Sequence, residues 1–192
     1  MLFVYAKLNP SLLYVQGMNE ILAVIYYCFW GEDTEFFETD VFTCFTIVMA
    51  ELRDSFDRVT DDEKTGIRGR IRLFGELLLK VDPELHAHIE YCQIDHQFYS
   101  LRWLMLLFSQ EFSLDDSVRL WDTLFADQRR YNYVFFVCCA KVTLLRETIL
   151  AGEFSECMEA LQSSGRQSLV EVLEEAQRLA REHSKDYVYY LG

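Results

Sequence analysis

The stretch from Gln16 to Trp30, QGMNEILAVIYYCFW, decides the fold class. Its apolar side chains recur at intervals of three and four residues and form one stripe: Ile21, Val24, Ile25, Cys28 and Phe29. This spacing places them on one face of a helix, whereas a half-buried strand alternates at every second residue. We therefore predict a helix from about Gln16 to Phe29 that ends before Gly31.

The same helical spacing recurs along the rest of the chain. Two further stripes are Leu101, Leu104, Met105 and Phe108, and Leu169, Val172, Leu173, Ala176 and Leu179. The 192 residues contain only two prolines and eight glycines, which are too few turn-forming residues for a β sandwich. The pattern predicts an all-α protein.

Capping residues and helix breakers divide the chain into about nine helices. Asp82 and Pro83, for example, are favoured at the first positions of a helix. The predicted helices cover about 16–29, 39–54, 61–80, a short segment from 83, 99–112, 114–125, 132–150, and two amphipathic segments after Gly152. We expect one domain over residues 1–192, in which residues 151–192 form the last helices.

Composition excludes several classes of function. The longest apolar run has about ten residues, half of the roughly 20 that span a bilayer. We therefore expect no direct membrane insertion. Lys and Arg number 18 against 31 Asp and Glu, so the net charge of −13 disfavours nucleic acid and an anionic membrane surface as partners. None of the six cysteines forms a Cys-x-x-Cys pair, which predicts buried free thiols in a reducing compartment. We expect a soluble cytoplasmic domain.

The sequence contains no phosphate-binding loop, dinucleotide-binding glycine motif or nucleophile elbow. His88, Cys92 and His96 are spaced at four residues, as ligands on one helix face would be. Residues 93–95 have the character of a connection that breaks such a helix, and His86 and His88 point to different sides. We therefore predict no metal site, and we interpret the paired acids such as Asp115 and Asp116 as solvated or helix-capping residues.

The segment Tyr14-Val15-Gln16-Gly17-Met18-Asn19-Glu20 joins the predicted extended stretch Leu8–Ser11 to the apolar helix. The amide of Gln16 both accepts and donates hydrogen bonds, so it can align a water molecule without titrating. Gly17 has no side chain, so its backbone can approach another molecule closely. Helix capping by Gln16 and Asn19 is the alternative explanation.

The motif Tyr14-x-Gln16-Gly17-Met18-Asn19 resembles the signature of the TBC domain family of Rab GTPase-activating proteins. The resemblance continues in the same order to about Leu150, through residues 66–67, 82–85, 98–104, 107–112 and 120–127. Residues 1–10 and 138–140 look like the member 13 branch of that family. Several ordered motifs in one chain are hard to produce by chance.

The resemblance implies a TBC-like helical fold and a partner, a Rab GTPase in its GTP form. Gln16 matches the glutamine that orients the attacking water, so it is the implied catalytic residue, and the chain would be an activator rather than a hydrolase. The implied partner-binding residues are Tyr14, Gly17, Met18, Asn19 and Arg102. Tyr14 and Met18 could instead pack the turn, and Arg102 could instead pair with an acid such as Asp122. The partner carries GTP and Mg²⁺, so no cofactor is expected, and recruitment to membranes in vesicle trafficking would occur through the Rab.

The sequence departs from the family in its second motif. Family members supply an arginine from Ile-x-x-Asp-x-x-Arg upstream of the glutamine, and this motif does not occur in the 192 residues. Two partial matches follow the glutamine, Leu124-x-x-Asp127-x-x-Arg130 and Ser113-x-x-Asp116-x-x-Arg119, and we interpret both as accidental. We expect a TBC domain without its N-terminal part and with weak activity alone. The alternative is a helical module that binds a Rab or another protein without catalysis.

Overall fold

The computed structural model describes residues 1–31, 35–57, 66–127, 132–163 and 167–183. Within these ranges it contains eleven α-helices and no strand, which confirms the all-α prediction. The helices are α1 (Leu2–Leu8), α2 (Met18–Cys28), α3 (Phe37–Phe56), α4 (Ile67–Val81), α5 (Pro83–Tyr91), α6 (Gln97–Leu106), α7 (Leu114–Ala126), α8 (Tyr133–Thr143), α9 (Arg146–Ala151), α10 (Phe154–Gln162) and α11 (Leu169–His183).

The core is built from one face of each amphipathic helix and from the whole of α8. In α2 the predicted stripe turns Ile21, Val24 and Ile25 inward, against α3, α6 and α7. Residues 134–142 of α8 are all buried, and eight of these nine residues are apolar, the exception being Lys141. The amphipathic helix α11 packs along α8 and closes the core on that side.

The cysteines are free, as predicted, but only half of them are buried. Cys138, Cys139 and Cys157 lie inside, Cys44 and Cys92 are half-buried, and Cys28 is exposed at the end of α2. Burial raises the pKa of the Cys138 thiol, which keeps that side chain neutral. The prediction of buried thiols is therefore wrong for Cys28, because the buried part of the apolar stripe ends at Ile25 and Cys28 is the last residue of α2.

The capping residues behave as predicted. The Asp82 carboxylate accepts a hydrogen bond from the Leu85 N–H at 3.0 Å, and Pro83 occupies the first turn of α5. The Ser113 hydroxyl accepts from the Asp116 N–H at 3.2 Å and caps α7. The start of the helix predicted from residue 61 lies outside the described residues.

Three boundaries were predicted wrongly. Helix α6 ends at Leu106, because Leu107 and Phe108 have φ of +47° and +62°, so the predicted helix 99–112 is broken. The predicted helix 132–150 divides into α8 and α9. The N-terminal residues form α1, which we did not predict, and the amide of Asn9 donates to the Tyr5 carbonyl at 2.9 Å at its end.

None of the helices in the described ranges has both the length and the apolar character needed to cross a bilayer.

Candidate functional site

A tight turn connects α1 to α2 and contains the motif Tyr14–Asn19. Leu13 has φ of +59° and Gly17 has φ of +108°, so the chain reverses direction within a few residues. The Met18 N–H donates to the Val15 carbonyl at 3.2 Å, and the carbonyl of Gly17 accepts from the Glu20 N–H at 3.0 Å. These backbone hydrogen bonds connect the turn directly to the first turn of α2.

Gly17 is required where the turn meets α6. A Cβ on this residue would lie 2.7 Å from Cδ2 of Leu106, closer than real Cβ contacts allow. Its positive φ also disfavours any residue with a side chain. The sequence predicted a close backbone approach at Gly17, and in the structure the buried glycine makes that approach to its own chain.

Asn19 belongs to the first turn of α2, and its side chain hydrogen-bonds to residues of the preceding loop. Its side-chain carbonyl accepts from the Tyr14 hydroxyl at 3.1 Å and from the Gly17 N–H at 3.3 Å. Its amide group donates to Glu20 at 2.8 Å. The Met18 side chain is fully buried, and its sulfur accepts from the Val15 N–H at 3.4 Å.

Gln16 is the exposed residue at the apex of this arrangement. Its side chain makes no hydrogen bond to any residue that the structure describes, and the residue after it, Gly17, occupies the N-cap position. The capping alternative therefore fails for Gln16, whereas Asn19 does satisfy a backbone N–H of the turn. An approaching molecule would meet Gln16 and Tyr14, which is 45% exposed, before the buried Gly17 and Met18.

Arg102 lies one helical turn before Leu106, on the face of α6 that meets the turn. Its guanidinium contacts Glu111 through Nε at 2.7 Å and through Nη2 at 2.6 Å. The alternative that Arg102 pairs with an acid is therefore confirmed, and that acid is Glu111, on the segment that follows α6, rather than Asp122. The Arg102 side chain keeps 40% of its surface exposed, so it remains accessible to a partner.

Glu111 is the centre of a buried charge network. Its side chain is fully buried, and its second oxygen lies 3.3 Å from Nζ of Lys141, which is buried in α8. The Lys141 ammonium also lies 5.0 Å from the centre of the Trp103 ring, within reach of a cation–π interaction. Burial lowers the pKa of Lys141, and the neighbouring carboxylate of Glu111 opposes that shift. Sequence reasoning missed both Glu111 and Lys141, because neither belongs to a recognisable spacing.

An apolar groove of about 420 Å³ continues from the turn along the outer face of α2. It is lined by residues at helical spacing and by the first residue of α7: Asn19, Leu22, Ala23, Tyr26, Tyr27, Trp30 and Leu114. Trp30 is 69% exposed at its far end. The hydroxyl of Tyr27 donates to Asp115 at 2.6 Å, which fixes α2 relative to the start of α7.

The structure does not bring His88, Cys92 and His96 together. His88 and Cys92 lie near Cys157 of α10, whereas His96 lies near His86 and Glu90. The prediction that His86 and His88 face different sides of the helix is therefore correct. Burial lowers the pKa of His96, whose Nδ1 is hydrogen-bonded to the Tyr99 hydroxyl.

The all-helical architecture belongs to a known class, the helical Rab-GAP fold. The crystal structure of the Ypt/Rab-GAP domain of Gyp1p superposes with a TM-score of 0.81, over 97% of this chain and 64% of that chain, at 17% identity. The Rab-GTPase-TBC domain model matches residues 1–150, and the chain belongs to this family.

Relatives within the family include animal and yeast proteins. Human TBC1 domain family member 13 is 43% identical over 182 residues, which cover 93% of this chain and 46% of the relative. The GTPase-activating protein GYP7 of Candida glabrata is 32% identical over 136 residues, which cover 71% of this chain and 17% of the relative. The chain thus spans about half the length of the human relative.

Proposed function

We propose that this chain binds a Rab GTPase in its GTP form and stimulates GTP hydrolysis, with Gln16 orienting the attacking water. The observation that carries this proposal is the exposure of Gln16 on a turn whose neighbouring residues are all anchored. A side chain held in this way can enter a partner's nucleotide site with little loss of backbone freedom. Membership of the Rab-GTPase-TBC family supports the choice of partner.

The chemistry requires only an amide at this position. Phosphoryl transfer proceeds through positioning and charge stabilisation, and a water molecule must be held in line with the leaving oxygen. The Gln16 carbonyl would accept a hydrogen bond from that water, and the amide does not change charge near neutral pH. The partner supplies GTP and Mg²⁺, so the chain acts as an activator and the Rab remains the hydrolase.

The surface around Gln16 supports a docking role. Tyr14 lies two residues before Gln16, and the groove that begins at Asn19 runs along α2 to the exposed Trp30, so exposed aromatic side chains lie in the turn and at the far end of the groove. Tyr and Trp are enriched at the centres of protein interfaces. In this proposal Tyr14, Asn19 and Arg102 contact the partner, while Gly17 and Met18 hold the turn from inside.

An arginine that stabilises the developing charge increases the rate by about 10³ to 10⁵ in related GTPase systems. The Ile-x-x-Asp-x-x-Arg motif that carries it in the family does not occur in these 192 residues. Of the two partial matches, Arg119 is exposed on α7 and Arg130 lies outside the described residues. We therefore expect weak stimulation by the 192-residue chain alone.

Single-turnover hydrolysis by a panel of GTP-loaded Rabs tests the proposal. The chain is assayed alone and joined at its N-terminus to a segment that carries the Ile-x-x-Asp-x-x-Arg motif of the family, with Gln16→Ala in each form. Gln177→Ala, an exposed glutamine of α11, is the matched control. Stimulation by the joined protein that Gln16→Ala removes and Gln177→Ala retains is the expected result. Stimulation unchanged by Gln16→Ala would show that this residue has no catalytic role.

A second candidate function is binding without catalysis, and the missing arginine motif favours it for this chain. A binding module would hold the GTP form of a Rab more tightly than the GDP form and leave the hydrolysis rate unchanged. To separate the two functions, the chain is titrated against the GTP form and the GDP form of the Rab. The rate of GTP hydrolysis by the Rab is then measured at a saturating concentration of the chain.

A further inference from the structure

The junction of α5, α9 and α10 brings together three side chains that can bind a metal ion. His88 and Cys92 are one turn apart on α5, and Cys157 comes from α10, some 65 residues further along the chain. One donor atom from each lies within 4.8 Å of the other two. The fold thus replaces His96, which the sequence spacing had suggested, with a cysteine that no local pattern indicated.

The measured separation fits one particular ion. The Sγ atom of Cys92 lies 3.5 Å from Nε2 of His88. Zinc binds thiolate sulfur at about 2.3 Å and imidazole nitrogen at about 2.0–2.1 Å, so two such ligands at the tetrahedral angle lie roughly 3.5 Å apart. His88 and Cys92 are therefore spaced as two ligands of one tetrahedral ion.

We propose that His88 Nε2, Cys92 Sγ and Cys157 Sγ bind a Zn²⁺ ion that links α5 to α10. Imidazole and thiolate are the ligands that zinc favours. Two thiolates balance the charge of the ion, so the occupied site is neutral at a place where Cys157 is fully buried and the other two ligands are half-buried. All six cysteines of the chain are free, so neither thiol is committed to a disulfide.

Backbone carbonyls lie beside two of the three donors. His88 Nε2 lies 3.0 Å from the Gly152 carbonyl oxygen, and Cys157 Sγ donates to the Ile149 carbonyl at 3.3 Å. Metal binding replaces both bonds, because the two thiols release their protons to solvent and the ring proton of His88 moves from Nε2 to Nδ1, which leaves the Nε2 lone pair for the ion. A water molecule as fourth ligand then donates to the Gly152 carbonyl, which keeps that oxygen hydrogen-bonded.

The second cluster on α5 offers poorer ligands and serves as an internal control. His86, Glu90 and His96 also lie within 4.8 Å of one another, but they include no thiolate. The ring of His96 is bonded to Tyr99 and packs against Gly75, where a Cβ would come within 2.8 Å of it. This crowding leaves His96 little freedom to turn toward an ion.

The test is metal retention by the full 192-residue chain. The reduced protein is incubated with ZnCl₂ or CoCl₂, freed of unbound metal by gel filtration, and analysed by mass spectrometry for metal and by absorption spectroscopy for Co²⁺. We expect one ion per chain, with the ligand-field and thiolate charge-transfer bands of tetrahedral Co²⁺. His88→Ala and Cys157→Ser should each weaken binding more than about tenfold, since even outer-shell changes cost 10- to 100-fold. His86→Ala and Cys28→Ser should bind as the wild type does.

Several results would overturn the proposal. These are no retained metal in the wild type, Co²⁺ spectra without a thiolate band, or equal retention by Cys157→Ser. If Cys157→Ser fails to fold, Cys92→Ser, a change at a half-buried position, provides the same measurement.

Discussion

Gly17→Ala tests whether the glutamine turn is fixed by its contact with α6. The new Cβ would lie 2.7 Å from Leu106 Cδ2, and the residue would keep a φ of +108°. The positive φ costs about 1–2 kcal/mol. The contact involves the end of the Leu106 side chain, which can turn aside within the packing around it, so the clash adds up to about 3 kcal/mol. We therefore expect the free energy of unfolding in urea to fall by roughly 1–5 kcal/mol.

Gly31→Ala is the matched control for this prediction. Gly31 has φ of +93° but no heavy atom within 4 Å of an added Cβ, so its substitution carries the backbone cost alone. The difference between the two variants measures the clash with α6, and the double variant Gly17→Ala, Leu106→Ala should recover part of it. Equal losses at both glycines, or no coupling with Leu106, would refute a contact that fixes the turn.

Three further substitutions test the buried ion pair of Glu111, the N-cap of α7 and the surface ion pair of α11. Glu111→Gln should destabilise the protein by about 3–5 kcal/mol in urea, because it leaves the buried Lys141 without its counter-charge; a loss below 1 kcal/mol would contradict the network. Ser113→Ala should cost about 0.5–2 kcal/mol by the same assay through loss of a helix cap, and an unchanged midpoint would argue against it. The hydrogen bond from Arg178 lowers the pKa of Glu175 below the ordinary carboxyl value of 4.5. The pair therefore stabilises the fold fully above pH 4.5, and this stabilisation is lost as the pH falls through the lowered pKa of Glu175. Thermal unfolding of Glu175→Gln between neutral and acid pH should lose that part of the pH dependence, and a profile parallel to the wild type would count against the pair.

Local signals predicted the parts of the fold that local interactions determine. The stripe of α2 and the caps at Asp82 and Ser113 depend on neighbours within about one helical turn. The motif from Tyr14 to Asn19 was identified by its resemblance to a family signature, and in the structure Tyr14 and Gly17 both hydrogen-bond to Asn19. These features therefore agree between sequence and structure.

The errors occur where distant contacts override local preference. A continuous helix through residues 99–112 would place Arg102 and Glu111 on opposite faces. The two residues are nine positions apart, and nine steps of about 100° amount to about two and a half turns. The left-handed backbone at Leu107 and Phe108 brings the two side chains together, and the Trp121 indole donates to the Leu107 carbonyl at 2.9 Å. No periodicity within the segment contains that information.

The candidate metal ligands show the same limit. His88 and Cys92 are visible as a pair at helical spacing, but Cys157 joins them only because α10 folds back beside α5. The spacing alone suggested His96 as the third ligand, and the expected break at residues 93–95 led to the prediction of no metal site. In the structure His96 lies instead beside Glu90 and His86.

The most direct measurement of the central proposal is the single-turnover rate of a GTP-loaded Rab with Gln16→Ala, in the chain joined to a segment that carries the Ile-x-x-Asp-x-x-Arg motif. Gln16 is exposed and makes no hydrogen bond to the described residues, so the substitution should change the free energy of unfolding by less than about 0.5 kcal/mol. We predict a rate loss of about 100-fold or more, comparable to removal of one transition-state hydrogen bond, at unchanged affinity for the Rab. A rate equal to that of the unsubstituted protein, with the Rab bound equally well, would contradict the role of Gln16.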